Sequence, residues 1–323
     1  MGIIMTQTYT QTTQVDQAPS LTTRSIGLFI GKVGLLSLVL LIVFGLAAGI
    51  AGLTDSASGV DPMAAFGGTI AMIVMYTIAI CYPISNSRWR GWRLVAAMAA
   101  AYYVLAVFLP QLDVIIFLNI FVDIIDVTLV PKILVQGAIV AAIFIPIAVF
   151  TFGKMRGKGE DNSIPENNDR MSRIEWIVKL AVIAISYIIL YVAAGSLIAF
   201  QNPALSEYYG GIIQKMSEVG VWMLLLQGVR ALIFTGVALP IIKFMKGSWW
   251  KAGLAISMLF AFLMAGAMLV PNAFMPDSVR FSHFLELFIE NFIFGWIIAW
   301  LLHRSHSSLH DLFGLQMNLT NRE

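Results

Sequence analysis

Long apolar runs separated by short polar stretches dominate the pattern of this chain. Eight of these runs are long enough for a helix to cross a hydrocarbon core of about 30 Å, which takes about 20 residues. Backbone polar groups in lipid must be satisfied within their own segment, so each run is predicted to be helical. The predicted spans are residues 26–53, 64–85, 92–110, 133–153, 174–200, 221–244, 250–271 and 283–302.

The charges support this membrane setting. Only 12% of the 323 residues are charged, against roughly 25% in soluble domains. Cations gather in the loops after the second, fourth and sixth spans, whereas acids prevail in the loops between them. The positive-inside rule then places both termini in the cytoplasm. The apolar spans make the lipid bilayer a predicted partner. The basic residues form no surface patch, so nucleic acid is not a predicted partner.

The two halves of the chain share landmarks in the same order. A Trp–cation pair and a proline flank the third and seventh spans at identical spacing, and a proline lies near the inner end of the second and sixth spans: Trp89-Arg90 with Pro110, Trp250-Lys251 with Pro271, Pro83 and Pro240. We therefore predict an all-α membrane protein whose eight transmembrane helices form two tandem four-helix repeats, related by an axis along the membrane normal. The alternative is that such residues gather at any span end.

This organisation divides the chain into five parts. Residues 1–25 are rich in Thr and Gln and are predicted to form a disordered cytoplasmic tail. The other parts are the first repeat at 26–153, a cytoplasmic linker at 154–173, the second repeat at 174–302 and a cytoplasmic tail at 303–323. Residues 111–132 are apolar but contain Asp113, Asp123 and Asp126. We expect a helix lying at the outer interface there, with a re-entrant element as the alternative.

Polar residues inside the predicted membrane region concentrate in the second half. His283, Glu286 and Glu290 share one face of the eighth span, and Arg230 lies in the sixth span at a similar depth. Gln227 lies on the same face as Arg230, and Asn291 adjoins Glu290. A buried arginine needs a carboxylate partner because an unpaired charge in lipid is costly. We expect an Arg230–Glu290 ion pair, which either forms part of an outward-open polar cavity or only fixes helix packing.

A cavity of this kind gives three functional hypotheses. An arginine suits an anionic ligand. The first hypothesis is therefore a protein that binds or transports a small anionic or lipid-like ligand in the outer half of the second repeat. The residues of this site would be Gln227, Arg230, His283, Glu286, Glu290 and Asn291. The second is a membrane-embedded enzyme that uses Glu286 or Glu290 as general base with His283. The third is a non-catalytic accessory subunit with a membrane protein as partner.

The sequence was also compared with motifs that mark catalytic and metal sites. The chain has no Walker A, Gly-x-Ser-x-Gly or HExxH motif, so nothing supports ATP hydrolysis or nucleophilic catalysis. His283, Glu286 and Glu290 could ligate one ion, but no second histidine lies in a span, and we predict no metal site. The sequence indicates no particular cofactor.

Several segments resemble a family of multi-pass bacterial membrane proteins to which no activity is assigned. They are Trp89-Arg-Gly-Trp92 leading to Phe108-Leu-Pro-Gln111, Met245-Lys-Gly-Ser-Trp-Trp250, Pro271-Asn-Ala-Phe-Met-Pro276, Val279-Arg-Phe-Ser-His283-Phe-Leu-Glu286 and Asn291-Phe-Ile-Phe-Gly295-Trp296. The resemblance extends from the first span to the eighth. It implies a bacterial plasma-membrane location and carries no catalytic residue across.

Overall fold

The computed structural model describes residues 23–53, 59–117, 120, 126–156, 171–210, 213–272, 275–306 and 311. Within them, eight helices are long and apolar enough to cross a membrane, which confirms the predicted all-helical class and the number of spans. Residues 1–22, most of the predicted linker and most of the C-terminal tail lie outside the described residues. The eight helices are α1 (Thr23–Ala51), α2 (Pro62–Ser85), α3 (Gly91–Ile116), α4 (Leu129–Thr151), α5 (Arg173–Leu197), α6 (Gly220–Phe244), α7 (Trp249–Ala265) and α8 (Asp277–Leu302).

Local sequence sets where several of these helices begin. The side chain of Asp61 accepts a hydrogen bond from the backbone N–H of Met63, and Pro62 occupies the first helical position of α2. Ser172 caps α5 in the same way through the N–H of Glu175. Such caps satisfy donors that have no partner within the helix. Two short helices, Pro203–Tyr209 and Ile213–Glu218, lie between α5 and α6.

The third span does not end where the sequence predicted. α3 passes through a π-helical turn at Val104–Phe108 and continues to Ile116. Pro110 lacks a backbone N–H to donate, and the π turn just before it absorbs the irregularity. The interfacial helix expected at 111–132 is therefore wrong for residues 111–116, which extend α3, and for residues 129–132, which begin α4. Asp113 is part of α3, and Asp123 lies outside the described residues.

Each half of the bundle packs its helices in the same order. In the first half, α4 packs against α1 and α3, and α2 packs against α1. In the second half, α8 packs against α5 and α7, and α6 packs against α5. The halves meet where α2 contacts α7 and where α3 contacts α6. The core is therefore continuous across both halves.

The two halves approach closely at Gly266 and are joined by a backbone bridge between two loops. A side chain at Gly266 of the second half would meet the ring of Tyr76, whose hydroxyl donates to the carbonyl of Leu263 at 3.1 Å. The loops after α2 and α6 form an antiparallel bridge between Ser87 and Met245. Its two hydrogen bonds run from Arg88 N to Phe244 O at 2.8 Å and from Lys246 N to Asn86 O at 2.9 Å.

The residues after α8 fold back against the start of α5. Lys179 is buried, forms an ion pair with Glu175 at 2.8 Å and donates to the carbonyl of Arg304 at 2.8 Å. The backbone N–H of His306 donates to the same Glu175 carboxylate at 2.7 Å. The C-terminal segment is thus attached to the second half at the end opposite the cavity described below.

Candidate functional site

A cavity of about 510 Å³ lies between the two halves and is lined by residues from all eight membrane-spanning helices. Its lining includes the last turns of α1 near Phe44, the first turns of α4 at Leu129–Gly137 and the first half of α8. These positions place the cavity in the half of the bundle farther from Thr23, where α1 begins, and from Leu302, where α8 ends. The volume is within the range of about 300–1,000 Å³ that is usual for small-molecule sites.

Arg230 forms the charged centre of one wall. It lies ten residues into α6, about 15 Å along the helix, and only 4% of its surface is exposed. Its Nη1 atom contacts Oδ2 of Asp113 at 2.5 Å. The expected Arg230–Glu290 ion pair is therefore wrong: Glu290 interacts with Arg230 at longer range, and the paired carboxylate comes from α3. The extension of α3 beyond Pro110 and the contact of α3 with α6 bring Asp113 to this position.

A second polar group consists of three hydrogen-bonded side chains. The Nδ1 atom of His283 lies 2.7 Å from Oε2 of Glu286, and its Nε2 atom lies 3.0 Å from the hydroxyl of Tyr209. A neutral imidazole satisfies both contacts if Nδ1–H donates to an ionised Glu286 and Nε2 accepts from Tyr209. This arrangement joins the short helix Pro203–Tyr209 to α8. Burial raises the pKa of Tyr209, so its phenol stays protonated.

Glu290 lies one helical turn beyond Glu286 and is almost fully buried, with 1% of its surface exposed. The phenol of Tyr187 on α5 interacts with its carboxyl group. Its Oε1 atom has no hydrogen-bond partner among the described residues. A carboxylate in this setting cannot be stabilised by its surroundings as well as one in water.

The structure brings together four of the six residues that the sequence indicated. Arg230, His283, Glu286 and Glu290 all line the cavity. Gln227 and Asn291 are buried but lie outside the cavity wall. The amide of Asn291 donates back to the carbonyl of Leu287 at 2.8 Å within α8, which indicates a packing role.

Sequence reasoning missed the rest of the wall. It is formed by methionine and aromatic side chains from both halves: Met72, Met223, Met264, Met268, Met275, Phe44, Phe200, Tyr76, Tyr102, Tyr187 and Tyr191. Methionine adapts its shape to irregular ligands, and aromatic faces attract cations. No local signal marks these residues, because all except Met275, which lies just before α8, belong to apolar runs like any other.

The charges of the wall do not balance. One guanidinium stands against three carboxylates, those of Asp113, Glu286 and Glu290. Asp113 already neutralises Arg230, so two acids remain without a cationic partner if His283 is neutral. Within the described part of the chain, no group of three or more His, Cys, Asp and Glu residues is arranged to hold a metal ion. Comparisons with protein-family models, curated proteins and solved structures give no match to the chain.

Proposed function

We propose that this multi-pass membrane protein binds small amphiphilic organic cations in the central cavity and carries them across the membrane. The observation that supports this most directly is the excess of carboxylates over cations in a buried cavity with an apolar wall. A ligand with one positive group and an apolar body matches both parts of the wall. Removal of its apolar surface from water favours binding by about 25 cal/mol per Å².

The polar side of the cavity favours a cation over an anion. Glu286 and Glu290 lie four residues apart on α8 and face the same space. A positive group between them stabilises both side chains as carboxylates in a medium of low dielectric constant. The anionic ligand expected from Arg230 has less support, because Asp113 already occupies the guanidinium. A lipid-like body remains compatible with the apolar wall.

Transport is supported by the arrangement of the halves. We infer that they are parallel repeats, since the packing order of α1–α4 matches that of α5–α8. The bridge between Ser87 and Met245 joins the loops after α2 and α6, which occupy the same place in each half. A site between two such halves can be exposed to either side by a rocking motion. The alternating loop charges and the bacterial resemblance support cytoplasmic termini and a plasma-membrane location.

Helix irregularities also correspond between the halves. The π-helical turn Val104–Phe108 ends two residues before Pro110, and the 3₁₀ turn Gly266–Leu269 ends two residues before Pro271. Interrupted helices at matching positions are typical of transporters built from repeats. Both interruptions adjoin the cavity, which Val107 and Met268 line.

Binding of tetraphenylphosphonium to the purified protein in lipid nanodiscs tests the proposal. We expect saturable binding of this cation and much weaker binding of tetraphenylborate, an anion of nearly the same shape. Glu286→Gln and Glu290→Gln together should weaken cation binding at least tenfold, about 1.4 kcal/mol. Glu207→Gln, an exposed acid outside the cavity, is the matched control. Tighter binding of tetraphenylborate that depends on Arg230 would instead support an anionic ligand.

Acid–base catalysis on a membrane-embedded substrate is the second candidate. The hydrogen bond between His283 and Glu286 faces the cavity, and such a pair can take up and return a proton. Incubation of the protein with a total bacterial lipid extract, followed by mass spectrometry, tests this candidate. A product that forms with the unaltered protein and disappears with Glu286→Gln would favour catalysis over transport.

A further inference from the structure

Glu290 differs from the other acids of the cavity in its surroundings. Asp113 has an ion-pair partner, and Glu286 has a donor in His283. Glu290 has no ion-pair partner and has only the phenol of Tyr187 beside its carboxyl group: it is 1% exposed, it lines the cavity, and its Oε1 atom has no partner among the residues that the structure describes. An unpaired, buried carboxylate ion is costly enough that such a group takes up a proton instead.

The groups around Glu290 favour its protonated form. α7 packs along α8, with the backbone of Ser257 against Gly295. On the cavity side α7 contributes Met264. The titratable and charged groups that face Glu290 are Glu286 and His283 from α8, Tyr187 and Tyr191 from α5, Arg230 from α6 and Asp113 from α3. Two of these are acids, and the single guanidinium among them is engaged by Asp113.

We propose that Glu290 is a proton-exchange site and that a cation entering the cavity releases its proton. This inference rests on the proposed function and names its coupling ion. The incoming positive charge stabilises the carboxylate, the O–H bond of Glu290 breaks, its electron pair stays on the carboxylate oxygen, and the proton passes to water. One positive charge enters and one leaves, so the net charge of the cavity is the same before and after.

Proton release gives the cation a pH-dependent affinity. Where Glu290 is protonated in the free protein, each rise of one pH unit should tighten cation binding about tenfold, because one proton is released per cation. The same exchange would let a proton gradient drive a cation in the opposite direction. His283 and Asp113 keep 19% and 27% of their side chains exposed, so the wall near Glu290 is accessible to water.

Calorimetric titration of tetraphenylphosphonium in two buffers of different ionisation enthalpy, at one pH, measures the released protons directly. With the unaltered protein we expect the binding heat to change with the buffer by an amount that corresponds to about one proton. Glu290→Gln should bind the cation with heat that no longer depends on the buffer and with an affinity that no longer varies with pH. Glu207→Gln should behave like the unaltered protein.

The outcomes separate this inference from the proposed function. Absence of tetraphenylphosphonium binding to the unaltered protein would refute the proposed function itself. Binding whose heat is the same in both buffers would refute proton exchange and leave cation binding intact. Proton release that persists in Glu290→Gln would assign the proton to another group. The measurement on the unaltered protein decides whether a proton is released, even if the variant does not fold. A thermal unfolding scan shows whether the variant folds.

Discussion

The ion pair between Arg230 and Asp113 makes a quantitative prediction, because it links the two halves across their interface. Asp113→Asn keeps the shape of the side chain but leaves the guanidinium of Arg230, 4% exposed, without its carboxylate. Removal of one partner from a buried pair costs about 3–5 kcal/mol. Asp113 keeps 27% of its side chain exposed and Glu290 lies nearby, so we expect the lower end, about 3 kcal/mol.

A double-mutant cycle isolates the pairwise contribution. Arg230→Met combined with Asp113→Asn removes both charges, and replacement of a buried ion pair by apolar groups is often close to neutral. The double variant should therefore be more stable than Asp113→Asn alone, with a coupling energy of about 2 kcal/mol. The free energy of unfolding can be measured by titration of the protein from mild detergent into a denaturing one, followed by tryptophan fluorescence.

Asp277→Asn is the matched control, since Asp277 pairs with Arg280 at 2.9 Å but has 86% of its side chain exposed. Arg280 is itself 9% exposed and keeps the carbonyl of Met268 as a partner at 2.9 Å, so we expect a loss of about 1 kcal/mol. If Asp113→Asn costs no more than Asp277→Asn, the interface pair does not stabilise the protein. A larger loss from Glu290→Gln than from Asp113→Asn would show that Arg230 depends on the acid of the last helix instead.

Two further predictions concern the packing of the bundle and its C-terminal segment. A methyl group at Gly295 would lie 2.5 Å from the Cα atom of Ser257. Gly295→Ala should therefore push α7 and α8 apart and lower the free energy of unfolding by about 1–3 kcal/mol. Gly236→Ala, whose methyl group would meet no atom of another helix within 4 Å, should change it little. Burial lowers the pKa of His306 in the folded protein. The unfolded chain therefore binds a proton at this histidine more tightly, and the free energy of unfolding falls as the pH drops below about 6.5. If the melting temperature falls equally between pH 7 and pH 5 in the unaltered protein and in His306→Gln, this prediction is contradicted.

The membrane-spanning helices could be predicted from the sequence because each depends on a local property. A run of apolar residues long enough to cross a bilayer has one available structure, the helix. Two boundaries were the exceptions: α3 continues six residues beyond Pro110, which usually marks a helix end, and α8 begins six residues before His283. The π-helical turn at Val104–Phe108, by which α3 continues past Pro110, has no signature that could be recognised beforehand.

The candidate site could be predicted only in its second-half portion. Glu286 and Glu290 share a face of one helix, so their spacing alone places them together. The partner of Arg230 depends on which helices adjoin, and the contact between α3 and α6 joins residues 117 positions apart. Nothing local distinguishes Asp113 from the other acids of residues 111–132, although the need of Arg230 for a carboxylate could have directed attention to them.

The most direct test of the central claim is a crystallographic one. Tetraphenylarsonium is an amphiphilic cation whose arsenic atom gives an anomalous signal, so a difference map of the complex locates it without assumptions about shape. We predict one strong peak inside the cavity, on the side of Glu286 and Glu290, and no such peak in crystals of the variant that carries Gln at both positions. A peak confined to the lipid-facing surface, or an equal peak in the variant, would contradict cation binding at this site.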